Sequence, residues 1–234
     1  MKILCLIIAR GGSKSLPNKN IMKINNLPLI AYSILQAKKS KKVNRVIVST
    51  DSEKIAKISK KYGAEILFKR PKNISGDLTT DYEVFSHALN WLKVKENYIP
   101  DWVVDLRAPE PIRSVKIIDR AIDCIIKKRG YDSLRSINAS QSDPRLMWQL
   151  QKKRSKKVFE NKIKNHFNNL SKKYFFFQNG YIDIIKSSTI LKKKSISGSK
   201  ILPFKTEEIT YTIDYKDDLK KISEILKKKL KELI

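Results

Sequence analysis

Arg10, Lys14 and Lys19 stand in one short stretch that also carries Gly11, Gly12, Ser13 and Asn20. Successive backbone N–H groups in a glycine turn can form a nest for an anion, and glycine lets the backbone approach a ligand closely. Fixed cations beside such a nest suit a polyphosphate. The same residues also fit a plain Gly-Gly turn with solvated lysines. The stretch lacks both G-x-x-x-x-G-K-[ST] and G-x-G-x-x-G, which excludes a P-loop and a dinucleotide fingerprint. His87 and His166 belong to no Cys/His zinc spacing and no Ser/His/Asp set. His87 reads as a satisfied structural histidine inside a helix.

The elements around this stretch bear on the two readings. Ile3–Ala9 is a continuous apolar run, the mark of a strand covered on both faces. The cationic stretch follows it directly, at the carboxyl end of a strand, where open α/β sheets bind ligands. Pro28–Lys38 has helical apolar spacing, Arg45–Thr50 reads as a strand, and Asp51 is placed to cap a helix over Ser52–Tyr62 that stops at Gly63. Glu65–Phe68 reads as a short strand. Thr80-x-x-Glu83 is a capping-box pattern opening a helix through Leu92. Trp102–Leu106 and Asp132–Asn138 read as strands on either side of an amphipathic helix over Ser114–Lys128. Gly180–Ile185 and Ile209–Ile213 read as later strands, and Tyr215–Leu233 as a final helix. Strands separated by helices imply right-handed crossovers. The expected fold is therefore α/β, with a Rossmann-like, mostly parallel sheet flanked by helices. One domain is expected over residues 1–234, with an inserted arm at 140–178.

The chain has 234 residues, 41% hydrophobic and 31% charged, which supports a packed core and argues against global disorder. No apolar run is long enough for a membrane span. Cys5 and Cys124 lie in apolar segments and read as free thiols of a reducing, cytoplasmic compartment. Lys and Arg number 50 against 23 Asp and Glu, a net charge of +27. Alone this suggests a nucleic-acid or membrane partner. Most of the excess is lysine on predicted helix surfaces, so neither partner is expected. The field instead favours encounter with small anionic substrates.

Arg10-Gly11-Gly12-Ser13-Lys14, then Leu16-Pro17-Asn18-Lys19-Asn20, resembles the opening of the acylneuraminate cytidylyltransferases, the CMP-sialic acid synthetases with relatives acting on legionaminic and pseudaminic acids. The resemblance runs through Val48-Ser49-Thr50-Asp51, Arg70-Pro71, Leu106–Arg113, Pro144-Arg145-Leu146-Met147-Trp148, Asn179-Gly180 and Ile213-Asp214. It implies a magnesium-dependent cytidylyltransferase that joins CTP to an acidic nine-carbon sugar, as a homodimer held through the arm. By resemblance, Arg10 and Lys19 meet the CTP phosphates. Gly11, Gly12, Ser13 and Lys14 complete the cradle, and Asn20, Arg70 and Thr79 contact the nucleoside. Arg107 and Asn179 fall near the sugar, and Asp214 serves catalysis and the metal.

The chain also departs from that pattern. Arg107 stands where a glutamine is common, and it could pair bidentately with a carboxylate or serve a structural ion pair. Glu110-Pro111 is similar to the deoxyoctulosonate (KDO) cytidylyltransferases. Thr212 replaces the first aspartate of the family's Asp-Ile-Asp. Lys172 or Lys173 could stand in for arginines of the arm. The alternatives left open are another sugar nucleotidyltransferase with a different nucleotide or acid, an inactive homologue, and a nucleic-acid-binding protein.

Overall fold

The computed structural model describes residues 1–140, 143–151, 154–158, 175–208 and 211–233. Apolar runs give the central strands β1 (Ile3–Ile8), β4 (Arg45–Ser49) and β5 (Trp102–Asp105), all buried except at their ends. Between β1 and β4 lie the small hairpin β2 (Lys23–Ile24) and β3 (Leu27–Pro28) and the helix α1 (Leu29–Lys39). Asn25 and Asn26 turn that hairpin with positive φ, as a two-residue hairpin loop demands. Helix α2 (Glu53–Lys61) follows β4, and α3 (Asp81–Glu96) precedes β5. The Thr80–Glu83 capping box forms on α3. The cap of α2 is Ser52, whose side chain accepts from the Ile55 N–H, and not Asp51, which turns towards the Gly11 loop.

After β5 come α4 (Val115–Lys127), β6 (Ser133–Ala139), the hairpin β7 (Trp148–Gln151) and β8 (Arg154–Lys157), β9 (Phe176–Lys186), α5 (Ser187–Leu191), β10 (Ile201–Lys205) and α6 (Lys216–Leu233). Among the described residues the main sheet has six strands in the order β10-β6-β9-β5-β1-β4. Pairs β1–β4, β1–β5 and β6–β10 are parallel, while β9 runs antiparallel between β5 and β6. The mostly parallel α/β expectation holds. Clusters of buried Ile, Leu, Val and Ala pack each face of the sheet, and a third cluster joins α1 to α6.

Three strand expectations change. Glu65–Phe68 shrinks to a single bridge from Glu65 to Ile47, because the chain turns off the sheet edge there. Of Ile209–Ile213, residues 209 and 210 lie outside the described residues. Residues 211–213 are not strand; Ile213 is buried and donates its N–H to the Pro109 carbonyl. Strand β10 was not expected, because Pro203 sits inside it. It is an edge strand, where proline is tolerated. About half of the expected arm at 140–178 lies outside the described residues, Lys172, Lys173 and His166 included. Its described part contains the β7–β8 hairpin, paired only with itself.

Candidate active site

The loop after β1 is tied down from both sides. The Gly11 N–H donates to Asp51 Oδ1 at 2.9 Å, and Asn20 Nδ2 donates to the Arg10 carbonyl at 3.0 Å. A Cβ on Gly11 would lie 3.0 Å from Ser52 Cβ, a close approach that favours glycine there. It is not required by a left-handed turn, since neither Gly11 nor Gly12 has positive φ. With its N–H spent on Asp51, Gly11 supports the loop rather than facing a ligand.

The loop walls a cavity of about 420 Å3 at the carboxyl end of β1. Arg10, Gly12, Ser13, Lys14, Lys19, Asn20, Arg70 and Thr79 all line it. The structure thus brings together nearly the whole nucleotide set expected from sequence, across about seventy residues of chain between Arg10 and Thr79.

Arg70 carries a specific signal. It is only 5% exposed, and its Nε and Nη2 have no hydrogen-bond partner among the described residues. The nearby Asp51 carboxylate stays 3.7 Å away. Burial lowers its pKa, with Asp51 opposing. A buried guanidinium with unmet donors is costly unless a ligand or water completes it. Arg10 and Lys14 are met differently. Both pair with Asp77, Arg10 Nη1 on one oxygen and Lys14 Nζ on the other at 2.6 Å. Those hydrogen bonds, Lys14's first, hold the Asp77 carboxyl below its ordinary range. Sequence reasoning missed Asp77 because no motif singles out one carboxylate in a polar loop.

Lys19 spans to the far side of the site. Its Nζ donates to the Ile213 carbonyl at 3.0 Å and pairs with Asp214 Oδ1 at 2.9 Å. Asp214 is half-exposed and does not line the cavity itself, reaching it only through Lys19, and Thr212 is exposed. Asp218 accepts the N–H groups of Asp214 and Tyr215, at 2.9 and 2.8 Å, and so shapes the turn into α6. Among the described residues no group of three His, Cys, Asp or Glu side chains forms a metal cage. A cation here would have one protein carboxylate, Asp214, and would take its other oxygens from phosphate and water, a donor set that suits magnesium.

The loop after β5 is built on Arg113, which is fully buried. Its Nε donates to the Tyr181 carbonyl at 2.6 Å and its Nη2 to the Arg107 carbonyl at 2.7 Å. Its Nη1 reaches Ser33 Oγ at 3.1 Å and the Glu110 carbonyl. Sequence reasoning gave Arg113 no role. Tyr181 sits in a register shift of β9 against β6, where Gly180 takes φ +70. A Cβ on Gly180 would lie 2.5 Å from Glu110 Oε1. Burial raises Glu110 to about 7, with Arg113 opposing.

Arg107 leaves this loop half-exposed, 3.5 Å from Asp81, which lines the nucleotide cavity. It therefore adjoins the cluster. Asn179 does not. It is buried, and its amide donates to Asn138 and to Thr206 Oγ1 at 2.7 Å. His87 is packed edge-on against Phe68, but its buried Nδ1 has no hydrogen-bond partner among the described residues, so it is not satisfied as expected.

A mostly parallel α/β sheet with a cationic cradle at the end of its first strand is a fold of the nucleotidyltransferase type. The chain belongs to the cytidylyltransferase family, whose model matches residues 4–233. It is 35% identical to the post-translational flagellin modification protein B of Campylobacter coli over 231 residues, 97% of this chain and 96% of that one. It is 34% identical to the CMP-N,N'-diacetyllegionaminic acid synthase of Campylobacter jejuni, covering 94% and 92% of the two chains. A solved CMP:2-keto-3-deoxy-manno-octonic acid synthetase in complex with CTP shares the fold with a TM-score of 0.72 at 15% identity, over 98% of this chain and all of the other. No helix among the described residues is long and apolar enough to cross a membrane.

Proposed function

We propose that this protein transfers the cytidylyl group of CTP to the anomeric hydroxyl of an acidic, sialic-acid-like nine-carbon sugar, giving the CMP-sugar and pyrophosphate. The observation that carries this is the buried Arg70 with unmet donors in the same cavity as Arg10, Lys14 and Lys19, in a cytidylyltransferase chain alike over nearly its whole length to a legionaminic acid synthase.

The sugar oxygen forms a bond to the α-phosphorus as the bond to pyrophosphate breaks, and the hydroxyl proton leaves to solvent. Arg10, Lys14 and Lys19 meet the phosphate oxygens on which charge builds, and Ser13 with the backbone at Gly12 completes that wall. Asn20, Arg70 and Thr79 hold the nucleoside. Catalysis is then positioning and electrostatic stabilisation. Magnesium at Asp214 would shield the phosphate charge when bound. Arg107 receives the sugar's carboxylate. Asn179 acts on the sugar side only indirectly, by fixing β9 to Asn138 and Thr206 beside the Gly180 register shift. The exposed Leu146, Met147, Trp148 and Leu150 of the arm support a homodimer that covers them. The free thiols Cys5 and Cys124 support a reducing, cytoplasmic setting.

Pyrophosphate release, measured with each of the four nucleoside triphosphates, magnesium and a panel of nine- and eight-carbon acid sugars, tests this. CTP with a nine-carbon acid is expected to give turnover. Turnover with the eight-carbon acid alone would support the second reading, favoured by Glu110-Pro111. No release with any pair would leave an inactive homologue. Asp214→Ala with undiminished magnesium-dependent activity would overturn the metal assignment.

A further inference from the structure

Arg107 lies among carboxylates without hydrogen-bonding any of them. Its guanidinium is 3.5 Å from Asp81, 3.6 Å from Asp105 and 3.8 Å from Asp183, all beyond good N–H···O geometry. Beneath it the sheet sets Asp105 of β5 directly opposite Asp183 of β9. Both are buried, but they are not equivalent. Asp183 takes Arg135 of β6 at 2.7 Å and the Gln178 amide on both oxygens. Asp105 has no such partner, and its buried Oδ1 accepts nothing among the described residues.

The charges facing Asp105 come from every side. Arg107 and Arg113 reach it from its own loop, Asp183 from β9 and Asp81 from α3, and the buried Cys5 thiol faces it from β1. Arg113 is balanced by Glu110. That leaves three carboxylates, Asp81, Asp105 and Asp183, against the guanidiniums of Arg107 and Arg135. An anion docking on Arg107 adds negative charge to a set already in excess. Neighbouring buried carboxylates do not all stay ionised, and the one without hydrogen bonds is the one to yield.

We propose that Asp105 takes up a proton when the carboxylate of the acid substrate docks on Arg107, so that this buried carboxyl sets the enzyme's affinity for the acid. The proposal rests on Arg107 receiving that carboxylate. The proton comes from solvent, forms the Asp105 O–H bond, and returns to solvent when the product leaves. Asp105 is a positioning residue, since it acts through Arg107. Burial already brings its carboxyl to about 7, with Arg107 opposing and Asp183 and Asp81 adding. Below that pH the proton is in place before the acid arrives. Above it, binding must draw a proton from solvent, so affinity for the acid falls as pH rises.

The test compares KM for the acid and for CTP in wild type, Asp105→Asn and Arg107→Gln between about pH 6 and pH 9, a range that spans the titration. The probe is N,N'-diacetyllegionaminic acid, or the panel acid that is turned over. In wild type, KM for the acid is expected to climb ~10-fold per pH unit above neutrality, while KM for CTP does not follow. Asp105→Asn is expected to flatten that climb and leave kcat at saturation unchanged. An Asp105→Asn enzyme that keeps the wild-type slope overturns the proposal. An Arg107→Gln enzyme with unchanged KM for the acid overturns instead the contact on which it rests. A second measurement needs no variant: calorimetric titration of wild type with the acid in phosphate and in Tris at about pH 8, beside an α,β-methylene CTP analogue. An enthalpy difference equivalent to about one proton taken up is expected; no buffer dependence overturns the proposal.

Discussion

The loops at residues 10–20 and 70–81 and the loop at 107–113 with its sheet floor both bring arginine to a carboxylate, but they use the pair in opposite ways. In the first region the pairs are at the surface. Arg10, Lys14 and Asp77 are 34%, 78% and 39% exposed in their side chains, and Lys19 reaches a half-exposed Asp214. Such pairs are worth little to stability and exchange readily for another anion. In the second region Arg113, Arg135, Asp183 and Glu110 are buried, and backbone carbonyls fill the guanidinium donors of Arg113 and Arg135. Exposure therefore separates charge that waits for a ligand from charge that holds the fold. Arg70 and Asp105 cross that line. Each is buried in the manner of the second region, yet each has unmet hydrogen-bonding atoms.

Removing Arg113 is expected to produce the largest effect of any single change. Arg113→Ala leaves Glu110 buried without its cation and strips donors from the Tyr181, Arg107 and Glu110 carbonyls. Breaking a buried pair this way costs about 3–5 kcal/mol. Denaturant unfolding should show that loss, and activity should fall with the folded fraction. Arg70→Ala is the contrasting change. It deletes donors that the protein itself does not use. KM for CTP should rise at least tenfold, about the 1.4 kcal/mol of a lost charged hydrogen bond, while stability falls far less than in Arg113→Ala. If Arg70→Ala destabilised as strongly as Arg113→Ala, the division between the two regions would fail.

Asp105→Asn comes next, and its sign depends on pH. Burial raises the folded carboxyl to about 7 from an ordinary 3.8. Between those values the native chain holds a proton that the unfolded chain has released, so stability declines as pH rises from the lower value to the higher. Asparagine cannot ionise and escapes that decline. The variant should be more stable than wild type above neutrality, with a ceiling of about 4 kcal/mol, and the gain should shrink as pH falls towards 4. Melting curves at several pH values check this. A variant less stable than wild type at every pH would show that the carboxylate, and not the acid, is the form the fold prefers.

The first region was the more legible in sequence, for a physical reason. Its key residues follow one another along a single loop after a strand whose apolar run is unmistakable, so local spacing exposes them. Arg70 and Thr79 came into view through resemblance to known enzymes, and the fold then placed them beside the loop. The second region is made of long-range pairs. Asp105 meets Asp183 only because β9 runs antiparallel between β5 and β6, and strand order cannot be read from periodicity. Arg113 closes a motif in sequence, but its burial depends on a register shift in β9 about seventy residues later. Asn179 looked like a ligand contact, and its partner Thr206 sits just past β10, a strand hidden by Pro203.

Asp77 gives the smallest effect and the sharpest test of the first region. Its two oxygens hold Arg10 and Lys14, the cations assigned to the CTP phosphates. In the free protein it thus stands where a phosphate group would stand. CTP must displace it, and part of the nucleotide's binding energy goes into parting those pairs. Asp77→Asn keeps the shape of the side chain and removes its charge, so the two cations lose a competitor and gain none. KM for CTP is expected to fall about threefold, of the size of one exposed ion pair. Inhibition by pyrophosphate should tighten by a similar factor, since it docks on the same cations. The melting temperature should not move, because the pair lies at the surface. A rise in KM for CTP would mean that Asp77 holds Arg10 and Lys14 in place for the nucleotide, and the exposed carboxylate would then belong with the structural ones of the second region.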